Sequence, residues 1–195
     1  MKTTIALSIL MLLPALLLAQ PQEVIDAYNL NQAILSKNTD ELKKLIKEGG
    51  DVNYQYNGRN ALHTACDKGY TEMASLIVEA GADVNSYSEE GIGSSPLQIV
   101  CGDPMEDFSE LAALLIANDA DPNLTLNPDQ APLFVAIANA HAKSVKVLVE
   151  HGASTELKNS MDQSPLEHVN YLIERGVSDA ERKANLQKIN ELLSK

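Results

Sequence analysis

The sequence predicts an all-α protein in which about five helix-turn-helix repeats stack into a solenoid, with hairpin loops between repeats and polar repeats capping both ends. One observation is a loop motif that recurs as Gly49-Gly50-Asp51-Val52-Asn53, Gly81-Ala82-Asp83-Val84-Asn85, Asp119-Ala120-Asp121-Pro122-Asn123 and Gly152-Ala153-Ser154-Thr155. Another is the leucine that follows each loop, at Leu62, Leu97, Leu133 and Leu166, with spacings of 35, 36 and 33 residues. Two linked signatures at matching offsets indicate a repeat architecture.

The first helix of each of repeats two to five is predicted from its starting residues. The capping side chains, which can accept a hydrogen bond from the first turn, are Asn60, Ser95 and Ser164. Proline follows at three of these helix starts, where its missing N–H has no helical partner: Pro96, Pro132 and Pro165. The leucine comes next and begins the buried face of the helix.

The second helix of each repeat is predicted from an apolar run just before the loop motif: Leu45-Ile46, Leu76-Ile77-Val78, Leu114-Leu115-Ile116 and Val147-Leu148-Val149. Gly81 and Gly152 end two of these helices, where a left-handed backbone costs glycine least. Asp119 replaces the glycine in the third repeat, and aspartate adopts that conformation at some cost.

The period and the two signatures resemble those of the ankyrin repeat, with its 33-residue period and T-P-L-H-x-A motif. The resemblance covers roughly residues 27–195. It implies an ankyrin-repeat solenoid with repeats at approximately 27–53, 54–85, 86–123, 124–156 and 157–195. Of the histidines that tie loop to helix in the family, this chain keeps only His63; Gln98, Phe134 and Glu167 take the other places. We therefore expect the last three hairpins to be held less tightly.

Both ends of the array are predicted to be capping repeats. The helix Asp40–Lys47 is apolar on one side only, and the last helix, reaching Leu193, carries a coat of Lys, Arg, Glu and Gln. A capping-box pattern, Ser178 to Glu181, precedes that helix. We expect the array to be complete at five units, because terminal repeats need a polar outer face.

Residues 1–19 are predicted to be a signal peptide. Lys2 precedes an apolar stretch from Ile5 to Leu18, and Ala19 offers a cleavage site before Gln20. The stretch is shorter than the roughly 20 residues that span a bilayer. The expected location is periplasmic or secreted; an uncleaved membrane anchor is the alternative.

The net charge of −12 disfavours nucleic acid or an anionic membrane surface as a partner. The charge either selects a basic partner protein or maintains solubility as a monomer. No metal-binding or nucleotide-binding motif is present, and no nucleophile–base pair can be named. We therefore expect no catalytic residues, no metal and no cofactor. Asp103, Glu106 and Asp107 form either a solvated acidic turn or a cation site. Their spacing does not match that of a calcium-binding loop, which favours the solvated turn.

The two cysteines, Cys66 and Cys101, each lie four residues after a repeat leucine. Equivalent residues of stacked helices are roughly 8–10 Å apart, which exceeds the 4.4–6.8 Å between Cα atoms of a disulfide. We expect two separate buried thiols.

The resemblance implies a concave surface built from hairpin tips and first helices. The residues at matching positions are Tyr54, Tyr56, Asn57, Arg59, Asp67, Lys68, Tyr87, Glu89, Glu90 and Asp103. Repeat three has enlarged loops on both sides of its first helix, including a turn at 102–108 that is about three residues longer. The predicted function is an exported protein–protein interaction module, as an inhibitor or a protective accessory protein. The alternatives are an enzyme with an unrecognised small-molecule or metal site, and a structural spacer.

Overall fold

The computed structural model describes residues 20–89 and 93–195, so the predicted signal peptide lies outside the described residues. Ten α-helices occur in the described part of the chain. They are α1 (Gln22–Leu35), α2 (Thr39–Lys47), α3 (Ala61–Asp67), α4 (Thr71–Glu79), α5 (Pro96–Cys101), α6 (Ser109–Ala117), α7 (Pro132–Ala138), α8 (Ala142–Glu150), α9 (Pro165–Glu174) and α10 (Ala180–Leu193). A short 3-10 helix, Pro128–Gln130, precedes α7.

The helices form five antiparallel pairs that stack in chain order. The first helices of the pairs make one row, α1, α3, α5, α7 and α9, in which each packs on the next. The second helices, α2, α4, α6, α8 and α10, make a parallel row. Within the described residues there is no β-strand, and an isolated antiparallel bridge joins Tyr56 to Arg59 in the first hairpin. The predicted all-α solenoid of five helix pairs is confirmed.

The first helices begin where the sequence predicts. The side chains of Asn60, Ser95 and Ser164 each accept a hydrogen bond from the backbone N–H three residues later. The last helix is different, because Asp179 and not Ser178 is its cap: the Asp179 carboxylate accepts from the Arg182 N–H at 2.6 Å. Both residues are good caps, and the prediction of Ser178 was wrong by one position.

The hairpin edge of the stack is held by a series of asparagines. Asn85 donates from its Nδ2 to the Asp119 carbonyl oxygen at 2.9 Å, and its Oδ1 accepts from the Asp121 N–H at 2.9 Å. Asn53 and Asn123 make the same pair of bonds to the repeats that follow them. The recurring Asp-x-Asn motif is therefore an inter-repeat connector. Its asparagine side chain bonds to the next repeat, and its aspartate accepts a hydrogen bond from the N–H of that asparagine.

The opposite edge, where the two helices of a pair are joined, uses a different contact at each interface. The Lys37 ammonium lies 5.1 Å from the centre of the Tyr70 ring. The Phe108 ring occupies the space where a side chain at Gly69 would lie, 2.3 Å from an added Cβ. At the last interface, Arg182 donates to the Ala138 carbonyl oxygen. We call this side the turn edge.

The long turn of repeat three provides the remaining turn-edge contact. It has seven residues, against three in repeats one, two and four, and so exceeds them by four where the sequence suggested about three. Asp107 at its end accepts from the Lys143 and Ser144 N–H groups at 3.0 and 3.2 Å. Helix α8 has no side-chain cap of its own. The extra length therefore lets one repeat cap a helix of the next.

The core is continuous between the two helix rows. Cys66 and Cys101 lie in it as free thiols, 1% and 0% exposed, which confirms the prediction of two separate buried cysteines. Burial raises the pKa of both thiols. None of the helices in residues 20–89 and 93–195 is both long and apolar enough to cross a membrane.

Candidate interaction surface

Two adjoining grooves open on the row of first helices. The first groove, of about 280 Å³, is lined by Asn31, Gln32, Leu35, Tyr56, Asn57, Arg59, Thr64, Asp67 and Lys68. The central groove, of about 320 Å³, is lined by Arg59, Asp67, Ser94, Gln98, Ile99, Gly102, Asp103, Pro104, Gln130 and Val135. Arg59 and Asp67 line both, so together the grooves extend from repeat one to repeat four.

An ion pair separates the two grooves. The Arg59 guanidinium lies 3.1 Å from the Asp67 carboxylate, and the Lys68 ammonium lies 2.9 Å from its other oxygen. Partial burial opposes ionisation of Asp67, but the hydrogen bonds from Lys68 and Arg59 outweigh it and lower the pKa of this carboxyl. Asp67 is therefore held charged and fixed in position between two cations.

His63 ties helix α3, which carries Thr64 and Asp67 of the first groove, to the hairpin beside it. Its Nδ1 accepts from the Asn60 N–H at 3.3 Å, and its Nε2 donates to the Ser86 carbonyl oxygen at 3.1 Å. Burial lowers the pKa of His63, which favours the neutral form that these two bonds require.

Gln98 makes the same two kinds of bond in repeat three. Its Oε1 accepts from the Ser95 N–H, and its Nε2 donates to the Gln130 carbonyl oxygen, both at 2.7 Å. The expectation that loss of the histidine loosens this hairpin was wrong. The side-chain amide of Gln98 has an acceptor oxygen and a donor nitrogen, and these reach the same kinds of partner as the two ring nitrogens of His63. Glu167 accepts from Ser164 N–H and from Lys158; Phe134 instead packs its ring on His168.

Comparison with known proteins assigns the repeat. The family description "Ankyrin repeats (3 copies)" matches residues 15–88. The chain is 33% identical over 129 residues to human "Ankyrin repeat and SOCS box protein 16", which covers 66% of this chain and 27% of that protein. The chain belongs to the ankyrin-repeat family.

Other ankyrin-repeat relatives match shorter stretches. The identity is 42% over 86 residues with the chicken "Nuclear factor NF-kappa-B p105 subunit", covering 43% of this chain and 8% of the relative. It is 32% over 93 residues with mouse "Protein phosphatase 1 regulatory subunit 27", covering 47% and 56% respectively. The chain spans about a quarter of the length of the human relative named above. Ankyrin repeats indicate a protein–protein interaction module.

The first and central grooves contain six of the ten residues predicted to bind a partner protein. Tyr56, Asn57, Arg59, Asp67 and Lys68 line the first groove, and Asp103 lines the central one. Tyr54, Tyr87 and Glu89 line neither groove, and Glu90 lies outside the described residues. No partner is seen, so binding by all ten residues stays a prediction.

Two of the predicted tyrosines pack within the chain. The Tyr56 ring meets the Tyr28 ring edge-on, with 5.6 Å between centres. The Tyr87 hydroxyl is buried and has no hydrogen-bond partner among the described residues. Burial, with the nearby Asp121 carboxylate, raises the pKa of Tyr87. A partner on the surface cannot reach this hydroxyl.

Sequence reasoning missed the apolar floor of the central groove. Ile99 and Val135 line it, and each lies two residues after a repeat leucine, as Thr64 does in the first groove. Ile99 and Val135 are partly exposed, whereas Thr64 is buried. The repeat register would have identified this position, because it alternates with the fully buried leucine and cysteine positions.

The acidic turn of repeat three is structural. Asp103 Oδ1 accepts from the Met105 and Glu106 N–H groups at 2.8 and 2.7 Å, and Asp107 caps α8. Among the described residues, no cluster of three or more His, Cys, Asp or Glu side chains is placed to hold a metal ion.

Proposed function

We propose that this ankyrin-repeat chain is an exported binding protein whose central groove holds a basic segment of a partner protein. The observation that carries the proposal is the groove itself: an open trough between hairpins and first helices, with an apolar floor and polar walls. Ile99 and Val135 offer surface for side-chain burial, and Asp103 stands at one wall. Apolar contact at the centre of such a surface, with polar groups at the rim, is the usual arrangement of a protein interface.

The charge distribution supports a basic partner. Residues 69–142 contain twelve Asp and Glu and no Lys or Arg, whereas the rest of the chain contains fifteen of each kind. The whole formal charge of −12 therefore originates in the segment that includes α4 to α7 and most of the central groove. The negative electrostatic potential around the groove steers a positively charged partner toward it.

Export and the biological role complete the proposal. The leader predicted at residues 1–19 would deliver the mature chain, from Gln20, to the periplasm or the exterior. There the chain would act by binding, as an inhibitor of a basic enzyme or toxin or as a protective accessory protein. One relative is by name a regulatory subunit of a protein phosphatase, which supports an enzyme as the class of partner.

Site-specific photo-crosslinking tests the groove. A photoreactive residue is placed at Lys68 in the first groove, at Pro104 in the central groove, or at Lys146, an exposed control on α8. After export in the source cells, the two groove positions should give an adduct of one mass that Lys146 does not give. The adduct should weaken in about 0.5 M salt, because exposed charges are then screened within a few ångströms. An adduct formed equally from Lys146, or none from Pro104, would overturn the proposal.

A further inference from the structure

The first hairpin contains the only Asn-Gly pair in the chain, Asn57-Gly58. Both residues have positive φ angles, of 52° and 75°. Tyr56 and Arg59, on either side of the pair, exchange two backbone hydrogen bonds of 2.9 and 3.3 Å. Asn57 and Gly58 are therefore the central residues of a two-residue hairpin turn, with the positive φ angles of the type I′ turn that favours Asn-Gly.

The two groups of this pair that can react with each other are accessible. The Asn57 side chain is exposed, and its amide makes no hydrogen bond within residues 20–89 and 93–195. The Gly58 N–H has no acceptor in that part of the chain either. Because glycine has no side chain, nothing on Gly58 itself hinders the approach of its nitrogen to the Asn57 amide carbon, Cγ. The turn thus places an electrophilic carbon next to an open nitrogen nucleophile.

The other asparagines lack this combination. None of them precedes a glycine, and most are held by bonds to their side chains. Asn53, Asn85 and Asn123 are fixed at both side-chain polar atoms by the connectors, and Asn60 caps a helix. An amide held in this way does not turn toward the following nitrogen. Among the described residues, Asn57 is thus the one asparagine that is exposed, free of hydrogen bonds and followed by glycine.

We propose that Asn57 is a site of spontaneous deamidation, at which the chain converts its own amide to a carboxylate without an enzyme. The Gly58 nitrogen loses its proton to hydroxide and attacks Asn57 Cγ. The new C–N bond closes a succinimide ring while the Cγ–Nδ2 bond breaks, and ammonia leaves with a proton from water. A water molecule then opens the ring at either carbonyl. One opening gives aspartate, and the other gives isoaspartate, in which the main chain runs through the side chain.

The folded turn slows this reaction. Ring closure requires rotation about the Asn57 Cα–C bond, which breaks the two hydrogen bonds between Tyr56 and Arg59. The bond from the Glu89 N–H to the Gly58 carbonyl oxygen, at 2.8 Å, also opposes the rotation. These few bonds lie at a hairpin tip, where local opening takes little free energy. We therefore expect the folded chain to react roughly ten- to hundredfold more slowly than the unfolded chain.

Either product alters the first groove, which Asn57 lines. Aspartate adds a negative charge to a groove whose lining cations are Arg59 and Lys68, and it keeps the turn, because Asp-Gly also favours this geometry. Isoaspartate adds a methylene group to the main chain, so the two-residue turn is lost. The reaction requires neither export nor a partner, so it stands or falls separately from the proposed function.

Peptide mapping by mass spectrometry tests the site on the folded mature chain, incubated in mildly alkaline buffer made with ¹⁸O-water. Asn57 should be the first asparagine to convert, and its new carboxyl group should contain one ¹⁸O atom. Isoaspartate should be the larger product, because water attacks the more electrophilic main-chain carbonyl of the ring. Fragmentation by electron transfer distinguishes the two isomers. Asn53 lies on the same tryptic peptide and is the internal control, which should stay intact.

A variant with a second Asn-Gly pair separates the effect of structure from that of sequence. Tyr54→Gly places glycine after Asn53, whose side chain is held at both polar atoms. In the folded variant, verified by circular dichroism, Asn53 should convert at least tenfold more slowly than Asn57, and in urea the two rates should be similar. Equal rates in the folded variant, aspartate without isoaspartate, or an Asn57 that converts only in urea would each contradict the proposal.

Discussion

The Asp107 carboxylate caps helix α8 by accepting two hydrogen bonds from Ser144, one from its N–H at 3.2 Å and one from its hydroxyl at 2.5 Å. The two residues belong to different repeats and are 37 positions apart. A negative charge at a helix N-terminus also interacts favourably with the helix dipole. The longest turn in the described chain therefore has a structural purpose at the interface of repeats three and four.

Replacing Asp107 by alanine should destabilise the protein. The change leaves the first turn of α8 without a cap and a fully buried Ser144 hydroxyl without an acceptor, so we expect a loss of about 2 kcal/mol in the free energy of unfolding. Urea denaturation of the mature chain measures it. Glu106→Ala, at an exposed neighbouring position, is the control and should change stability by less than about 0.5 kcal/mol. Equal values for the two variants would show that the cap is unimportant.

His63 should be replaceable by glutamine, with a change in pH dependence. Gln98 shows that an amide makes both bonds, so His63→Gln should retain stability at pH 7.5 to within about 1 kcal/mol. Burial lowers the pKa of His63 in the folded state. Above its ordinary value of about 6.5 the ring is neutral in both states; as the pH falls below that value the unfolded chain binds the proton first, and stability is lost.

Urea midpoints at pH 7.5 and 5.5 test this pair of expectations. The wild type should lose more stability than His63→Gln between the two values. Other groups, including His168, whose pKa is also lowered by burial, are present in both proteins and cancel in the comparison. The same loss in both proteins would exclude His63 as the titrating group.

Tyr87→Phe should be neutral or stabilising. The hydroxyl is buried without a partner among the described residues, so its removal relieves a desolvation cost and keeps the ring. We expect an increase of between zero and about 1 kcal/mol in the free energy of unfolding. Thermal and urea unfolding measure it, with Tyr54→Phe as the control. A clear loss of stability would mean that the hydroxyl has a partner.

Export should include cleavage between Ala19 and Gln20. The short apolar stretch and the small residue at its end motivate this expectation. Intact-mass measurement on protein from a periplasmic or culture fraction provides the test. A mass that still includes residues 1–19 would contradict it.

Both thiols should be free and unreactive in the native protein. Cys66 and Cys101 are buried, and burial raises the pKa of each, so little thiolate is present. Titration with an aromatic disulfide should detect no rapid reaction in buffer and two thiols per chain in denaturant. Fewer than two in denaturant would indicate a disulfide and a distorted stack.

The sequence predicts features that depend on neighbouring residues better than features that depend on distant ones. The caps Asn60, Ser95 and Ser164 act within one helical turn, and each was located from its own few residues. Asp107 caps a helix in the next repeat, so its role depends on the length of the turn and on the distance between helix rows. The burial of the Tyr87 hydroxyl likewise depends on how adjacent hairpins pack.

The candidate site shows the same division. Residues on the hairpin tips could be assigned from the family pattern, and six of ten line the grooves. The partly exposed Ile99 and Val135 resemble ordinary core among their apolar neighbours in the sequence, and only their register, two residues after the buried repeat leucine, distinguishes them from it.

The asparagine connectors of the hairpin edge bond only to main-chain groups of the repeat that follows. Any repeat with the same backbone path can supply those groups, whatever its side chains are. Duplication or excision of one whole repeat in the gene, cut at the Asp-x-Asn motif, therefore leaves every connector with a donor and an acceptor. At the hairpin edge, such an array can change its length over evolutionary time in steps of one repeat without a compensating substitution, whereas the turn-edge contacts, which differ at each interface, would have to be rebuilt.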